Sequence, residues 1–333
     1  MLVSVVIPAF NAARFIGNAI RSVLDQTEQS FEVIVVDDCS EDDTSAIAAE
    51  IARTDERIRL IRLPANVGPG GARNVAINAS QGTWVALLDA DDRYHPSRLE
   101  RLQAVAARTG ADIVSDNIML HQEDGSQPDR VMYSKDRIPC EMRLTPTEFV
   151  IQNTRKDDGF RSSFGFMQPI FRREFLLKSG LTYELRNRFG EDFMFSVRCL
   201  TEGANWWITP DALYIYTVRQ GSLTETATPE DLRVISAMEQ ELLDKVSASA
   251  DTAFATAIKR HKRTVDHWRH TMAFKAALQR QAFREALTVA FESRSSLQAV
   301  LRDLAANTFL KVYRPCHKAG GKRNVGVHRL FFD

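Results

Sequence analysis

The stretch Trp84–Leu99, WVALLDADDRYHPSRL, begins as an apolar run and breaks into Asp89, Asp91 and Asp92. The apolar half reads as a buried strand. Three carboxylates at its end repel one another, and desolvation adds to the cost of each charge. The cluster therefore faces water or meets something positive.

The same pattern recurs upstream. VSVVIP is a β-branched run stopped by Pro8, and FEVIVVDD is a second buried strand. RIRLIRL alternates as a strand covered on one face, and DIVSDNIML is a fifth strand. Helical spacing separates them: Phe15, Ile16, Ile20, Val23 and Leu24 first, then Ile47 and Ile51 behind a capping stretch at Ser40–Asp43. GPGGARNVAINAS is a glycine loop leading into a helix, and Pro96 suits the first turn of another. Strands alternating with helices predict a mostly parallel, Rossmann-like α/β sheet flanked by helices. Ligands of such sheets bind at the carboxyl ends of the strands. Three polar clusters fall there: Pro8–Asn11, Asp37–Ser40 and Asp89–Asp92.

The chain of 333 residues has 43 Lys plus Arg and 43 Asp plus Glu, so net charge gives no case for nucleic acid. Four cysteines without a CxxC pair suggest free thiols in a reducing cytoplasm. No signal peptide is expected from MLVSVVIPAF, and no apolar run approaches the roughly 20 residues that span a bilayer. The middle, about 139–218, mixes short elements, and from about Pro229 the chain reads as helical. Its apolar stripes are Val265, Trp268, Met272 and Ala276, then Phe283, Leu287 and Phe291, then Leu297, Val300, Leu301 and Leu304. Lys259–Arg284 carries eight Lys or Arg against Asp266 alone, and 311–333 carries six against Asp333.

Two acids separated by one residue can share a hard divalent cation, usually with substrate phosphates completing its shell. The competing reading is that they favour the N-terminus of the following helix. VGPGGARN fits neither the GxGxxG nor the GxxxxGK[ST] pattern; it reads as a flexible turn, or as a phosphate site to which Arg73 adds charge. Glu191 and Asp192 precede a helical pattern, either as ordinary first-turn acids or with one as a general base.

In order and separation, VSVVIPAFN, FEVIVVDDCSEDDT, NVGPGGARNVAI, LLDADDRYHPSRL and GEDFMF resemble the family-2 inverting glycosyltransferases of GT-A fold. The resemblance covers about residues 1–224 and is dense over 1–120. It implies a domain at 1–225, with nucleotide-sugar binding in 1–120 and the acceptor side and base in 121–225. A basic helical region at 226–333 follows. It implies a nucleotide-sugar donor, most often UDP-linked, and Mg²⁺ or Mn²⁺. By position, Pro8, Ala9, Phe10 and Asn11 line the donor pocket, Phe10 packing on the base unless it is a strand-end core aromatic. Asp38 accepts a hydrogen bond from the base, Asp37 supports the turn, and Arg73 faces the base or diphosphate. Asp89 approaches the ribose and shares the metal with Asp91. Asp192 is the base, and Glu191 shapes the acceptor side.

The arginine of YTVRQGSLT stands three residues after Tyr216 instead of next to it, so Arg219 is placed near the diphosphate by analogy only. SSFGFMQPIF resembles the acceptor side of bacterial polysaccharide-assembling relatives. There Phe164, Phe166 and Met167 stack on sugar or pack in the core, and one of Trp206 and Trp207 is a core residue. The implied product is a lengthened, lipid-linked glycan for an exopolysaccharide or capsule. The basic tail reads as an anionic-membrane contact on the inner face of the cytoplasmic membrane, as a solvated face, or as a homodimer contact. A sugar nucleotidyltransferase is the rival enzyme, but PAFNAARF stands where its glycine-rich loop belongs. A scaffold that binds nucleotide-sugar without turnover is the non-enzyme alternative.

Overall fold

The computed structural model describes residues 1–154, 163–186, 188–219, 227–246, 252–293 and 296–303. Strands Val3–Ala9 (β1), Phe31–Asp37 (β2), Ile58–Arg62 (β3) and Trp84–Leu87 (β4) alternate with helices Ile16–Leu24 (α1), Thr44–Ala52 (α2) and Gly68–Ala79 (α3). Then come Arg93–Tyr94 (β5), Arg98–Thr109 (α4), Ile113–Gln122 (β6), Arg130–Val131 (β7), Met142–Leu144 (β8) and Pro146–Asn153 (α5). Ile170–Arg172 (β9), Arg173–Ser179 (α6), Glu191–Thr201 (α7) and Trp206–Val218 (β10) follow. The sheet order is β3-β2-β1-β4-β9-β6-β10-β5, with β7 beside β6 and β8 beside β10.

The pairs β3–β2, β2–β1 and β1–β4 are parallel, as the alternating strands and helices predict. The Val and Ile runs of β1 and β2 suit strands buried on both faces, whereas β3, IRLIR at the sheet edge, alternates. β1 pairs with β2 as far as Ala9 but with β4 only as far as Val6. The carboxyl ends of β1 and β4 therefore part company, opening the crevice that such sheets use for ligands. β9 lies antiparallel between β4 and β6. β6 and β10 run parallel, and shifts in register along β10 between Ile208 and Tyr214 re-aim its second half. That half carries Tyr214, Thr217 and the approach to Arg219.

Behind the site lies a fully buried ion pair. Arg98 donates to both oxygens of Asp116, at 2.7 to 3.2 Å, and to the carbonyl of Gln168. Its guanidinium also lies over the rings of Tyr94 and Tyr214, 4.2 and 5.1 Å from their centroids. No sequence pattern marks this pair, since the partners stand on α4 and β6.

The compact units are Met1–Phe149 with Phe164–Gln220, and Val150–Ser163 with Gly221–Asp333; the sequence reading drew one division at 225. The second contains Pro229–Val246 (α8), Thr252–Gln279 (α9) and Phe283–Phe291 (α10), and 296–303 are helical. Val265 and Trp268 are buried, as their stripe predicts. The α10 stripe differs: Phe283, Leu287 and Phe291 are 63, 58 and 68% exposed, because Ala286 and Ala290 supply the buried face. Of the third stripe, Val300 is buried, Leu301 is exposed, and Leu304 lies outside the described residues, as do the basic residues of 311–333. No helix among the described residues is long and apolar enough to cross a membrane. Cys39, Cys140 and Cys199 are free thiols, and Cys316 lies outside the described residues.

Removing one member of a buried ion pair strands the other charge. Arg98→Ala is expected to lower unfolding stability by about 3–5 kcal/mol in urea titrations. The double variant Arg98→Met, Asp116→Leu is expected to recover most of that loss.

Candidate active site

The loops after β1 and β2 are stitched together. The backbone N–H groups of Asn11, Ala12 and Ala13 donate to Ser40 Oγ, Thr44 Oγ1 and Asp42 Oδ2 at 3.0, 2.7 and 3.0 Å. The Ser40–Asp43 stretch thus caps its neighbour's loop as well as entering α2. Asp37, wholly buried, accepts from the Ser40 amide at 3.1 Å and so holds its own turn. This arrangement leaves Pro8 half-buried, Ala9 buried, Asn11 exposed and Phe10 50% exposed. Phe10 is therefore no core aromatic.

Asp38 binds the start of α3. Its two carboxylate oxygens accept from Val67 and Gly68 amides at 2.7 and 2.8 Å, and its backbone N–H reaches Ala9 O at 2.8 Å. Burial raises its pKa, against those amides and the exposed Arg188, which lower it. Gly68 takes φ +80°, a conformation that favours glycine. The glycine stretch read as a loop is instead the first turns of α3. A Cβ on Gly70 would stand 3.1 Å from Tyr183 Cβ, and one on Gly71 would stand 2.6 Å from Val67 Cγ2.

One turn further along α3, Arg73 is 3% exposed and meets three carboxylates. Nη2 donates to Asp89 Oδ1 at 2.7 Å; Nη1 donates to Glu191 Oε1 at 2.8 Å and lies 3.2 Å from Asp192 Oδ1. The guanidinium also lies over Tyr183, 5.4 Å from the ring centroid. The expectation that Arg73 faces a base or diphosphate thus meets a different arrangement: its terminal nitrogens face acids, and its Nε is buried without a partner. Glu191 and Asp192 do occupy the first turn of α7, entered through Gly190 at φ +70°. The structural and the chemical readings of that pair coexist.

Asp192 is held far above the usual carboxylate range. Burial pushes its pKa up to about 7, with Glu191 and Asp89 adding to the rise; Arg73 and a hydrogen bond from Tyr183 oppose it. Glu191 is raised by burial as well, against Arg73.

Each acid of the opening stretch has its own partner. Asp89 Oδ2 accepts from Gln168 Nε2 at 3.1 Å, so both its oxygens are engaged. Asp91 Oδ2 accepts from Arg219 Nε at 2.7 Å, and Arg219 also lies over Phe15 at 5.1 Å. Burial raises the pKa of Asp91, against Arg219. Asp92 is buried and accepts from Tyr214 Oη and the Thr217 amide, both at 2.7 Å, while Tyr214 Oη accepts from the Asp89 amide at 3.1 Å. Asp92 therefore staples the acidic loop to β10, rather than capping the turn after it.

The structure brings Arg73, Asp89, Glu191 and Asp192 into one cluster, with Asp91 on the same acidic loop and Arg219, just past β10, bound to it. Asp38 and the end of β1 gather at the start of α3, about one turn before Arg73. Sequence reading missed Tyr183, Gln168 and Tyr214, which sit in unremarkable apolar runs. Phe164 and Met167 are core residues, as is Trp206; Phe166 and Trp207 are half-buried.

No group of three metal-ligating side chains converges among the described residues. The protein's share of a cation shell would then be one or two carboxylates, a donor set that suits a hard ion sharing its sites with phosphates. Asp91 is a quarter exposed, and its Oδ2 already accepts from Arg219, which a cation there would have to displace or share.

A parallel sheet with acids gathered at the parting ends of β1 and β4, followed by a helical region, is the GT-A type of glycosyltransferase fold. Residues 4–175 match the family described as Glycosyl transferase family 2, and the chain belongs to that family of glycosyltransferase enzymes. It is 39% identical over 243 residues to the succinoglycan biosynthesis protein ExoO of Rhizobium meliloti, covering 72% of this chain and 68% of the relative. Identity to ExoU of the same organism is 31% over 306 residues, 92% of this chain and 87% of the relative. Among solved structures, S. aureus TarS 1-349 in complex with UDP-GlcNAc superposes with a TM-score of 0.60 at 19% identity, over 88% of this chain and 92% of that one. The mannosyltransferase PcManGT of Pyrobaculum calidifontis, in complex with GDP-Man and Mn²⁺, gives 0.57 at 20%, over 94% and 81%.

A buried acceptor stripped of its donor costs about 1–3 kcal/mol. Tyr214→Phe removes the donor to Asp92, and a fall of that size is expected in urea unfolding, with looser protease protection of the 89–94 loop.

Proposed function

We propose that the protein is an inverting, metal-dependent glycosyltransferase. It moves a sugar from a nucleotide-sugar, UDP-linked, to a hydroxyl of a lipid-linked oligosaccharide in bacterial polysaccharide assembly. One observation carries the reading: a single buried guanidinium joins the strand-end acid Asp89 to Asp192, a carboxylate whose pKa stands near neutrality. Succinoglycan relatives support the polysaccharide product, and nucleotide-sugar complexes of the same fold support the donor class.

Asp192 acts as general base. It takes the proton of the acceptor hydroxyl, whose oxygen forms the new bond to the anomeric carbon. The bond from that carbon to the diphosphate oxygen breaks, and its electron pair leaves with the nucleoside diphosphate. One displacement from the opposite face inverts the centre, with no covalent enzyme intermediate. A pKa near the working pH suits this role, since the base must be both ionised and willing to accept a proton. A divalent cation held by Asp91, with Asp89 beside it, would supply Lewis-acid stabilisation of the leaving diphosphate. Phe10 packs on the base in this reading, with Pro8, Ala9, Asn11 and Asp38 around it, which its half-exposed position after β1 supports. Arg219 is assigned to the diphosphate side through its place on Asp91, and Glu191 to the acceptor side.

The test is release of nucleoside diphosphate from UDP-sugars with Mn²⁺ and an extracted lipid-linked glycan. Asp192→Asn is expected to lose about 10²- to 10⁴-fold in kcat. Protonation silences the base, so wild-type rate is expected to fall as pH drops below about 7. EDTA is expected to abolish turnover and Mn²⁺ to restore it. Equal turnover by Asp192→Asn refutes the base. Thermal stabilisation by UDP and Mn²⁺ with no turnover on any donor means a silent scaffold.

The exposed apolar face of α10, flanked by Arg280 and Arg284 and preceded by the basic run of α9, supports docking on an anionic membrane surface. The protein is expected to sediment with phosphatidylglycerol vesicles but not phosphatidylcholine ones, and Leu287→Asp to weaken this. Vesicle-independent dimerisation lost in Leu287→Asp would assign the face to a homodimer.

A further inference from the structure

The role of Arg73 follows from where its charge is spent. Donor recognition by an arginine needs N–H groups that a phosphate or base can reach. Arg73 offers none that a ligand can reach: it is 3% exposed, Nη1 and Nη2 are committed to acids from two distant segments, and Nε, though without a partner, is buried. Asp89 ends β4, whereas Glu191 and Asp192 open α7, which lies about a hundred residues further along the chain. The planar fork of a guanidinium can hold both at once, one through each terminal nitrogen.

The far side of this bridge is braced. Asp89 is held on its other oxygen by Gln168, at 3.1 Å. The Gln168 carbonyl is in turn bound by Arg98, itself locked on Asp116. Asp89 is thus a fixed post, and α7 is fastened to it through Arg73. The groups that face Asp192 are Arg73 from α3, Asp89 from the acidic loop, Glu191 from α7 itself, and Tyr183 from the segment before it.

We infer that Arg73 is a positioning residue: it fixes the base-bearing turn of α7 against the acidic loop that receives the donor, and does not itself bind the donor. The inference rests on the reading of Asp192 as the base. Its consequence is a separation of kinetic constants. Loss of alignment between base and donor lowers the rate of transfer, since a misplacement of about 1 Å can cost about 10²-fold. Donor affinity, made elsewhere, is left alone.

The experiment compares Arg73→Lys and Arg73→Gln with wild type in donor kinetics, UDP binding by calorimetry and the pH profile of kcat. Arg73→Lys keeps a charge but not the fork. Its kcat is expected to fall about 10²-fold, with donor KM and UDP affinity within about twofold of wild type. In Arg73→Gln the acid limb of the profile is expected to move to higher pH, since the cation that favours ionised Asp192 is gone. A raised donor KM with weakened UDP binding and preserved kcat overturns the inference and returns Arg73 to the donor. So does wild-type kcat in Arg73→Lys. If losing the guanidinium prevents folding, Glu191→Gln, which removes one anchor and keeps the cation, is read by the same criteria; an unaltered kcat there overturns it. Full activity in Asp192→Asn defeats the base assignment instead, whereas a dead Asp192→Asn beside a normal Arg73→Lys defeats the bridge alone.

Discussion

An arginine in a protein does not give up its proton, so a guanidinium buried to 3% exposure has to be surrounded by anions. Arg73 meets this need with Asp89, Glu191 and Asp192, and the converse holds as well. Those carboxylates could not gather in a half-buried crevice without a fixed cation among them. The mutual dependence ties α3, the end of β4 and the start of α7 into one object. Remove the cation and three desolvated acids are left to repel one another or take up protons.

The remaining acids of the β4 end follow the same rule with different partners. Arg219 stands on Asp91, and the Tyr214 hydroxyl and Thr217 amide stand on Asp92. The protein therefore compensates its own acidic loop. Some buried polar atoms of the cluster still lack a hydrogen bond, among them Arg73 Nε and Asp192 Oδ1. Burial pushes Asp192 up to about 7 against the pull of Arg73, and it raises Glu191, Asp91 and Asp92 as well.

The bracing extends away from the chemistry. Gln168 links Asp89 to the buried Arg98–Asp116 pair, which spans α4 and β6. β10 reaches the acidic loop by pairing with β5, which directly follows that loop. Its irregular register lets one strand pair with β6 along its length and still present Tyr214 and Thr217 to Asp92. Helices carry Arg73, Glu191 and Asp192, whereas loops at the strand ends carry Asp38, Asp89 and Asp91, so the bracing from Gln168 and β10 is what fixes the acidic loop.

Strand runs, helical spacing and the position of polar clusters at strand ends are local properties, and the chain displays them openly. They were enough to read the parallel half of the sheet, the crevice at its carboxyl ends and the acids that occupy it. They could not say which partner each acid would take. The bonds from Arg73 to Glu191, from Arg219 to Asp91 and from Thr217 to Asp92 join residues 118, 128 and 125 positions apart. No periodicity reports on such separations; they exist only once β9 has slotted between β4 and β6 and β10 has settled beside β6. The exposed stripe of α10 makes the same point in reverse, for an apolar pattern says that a face can be buried, and only the packing of Ala286 and Ala290 decides which face is.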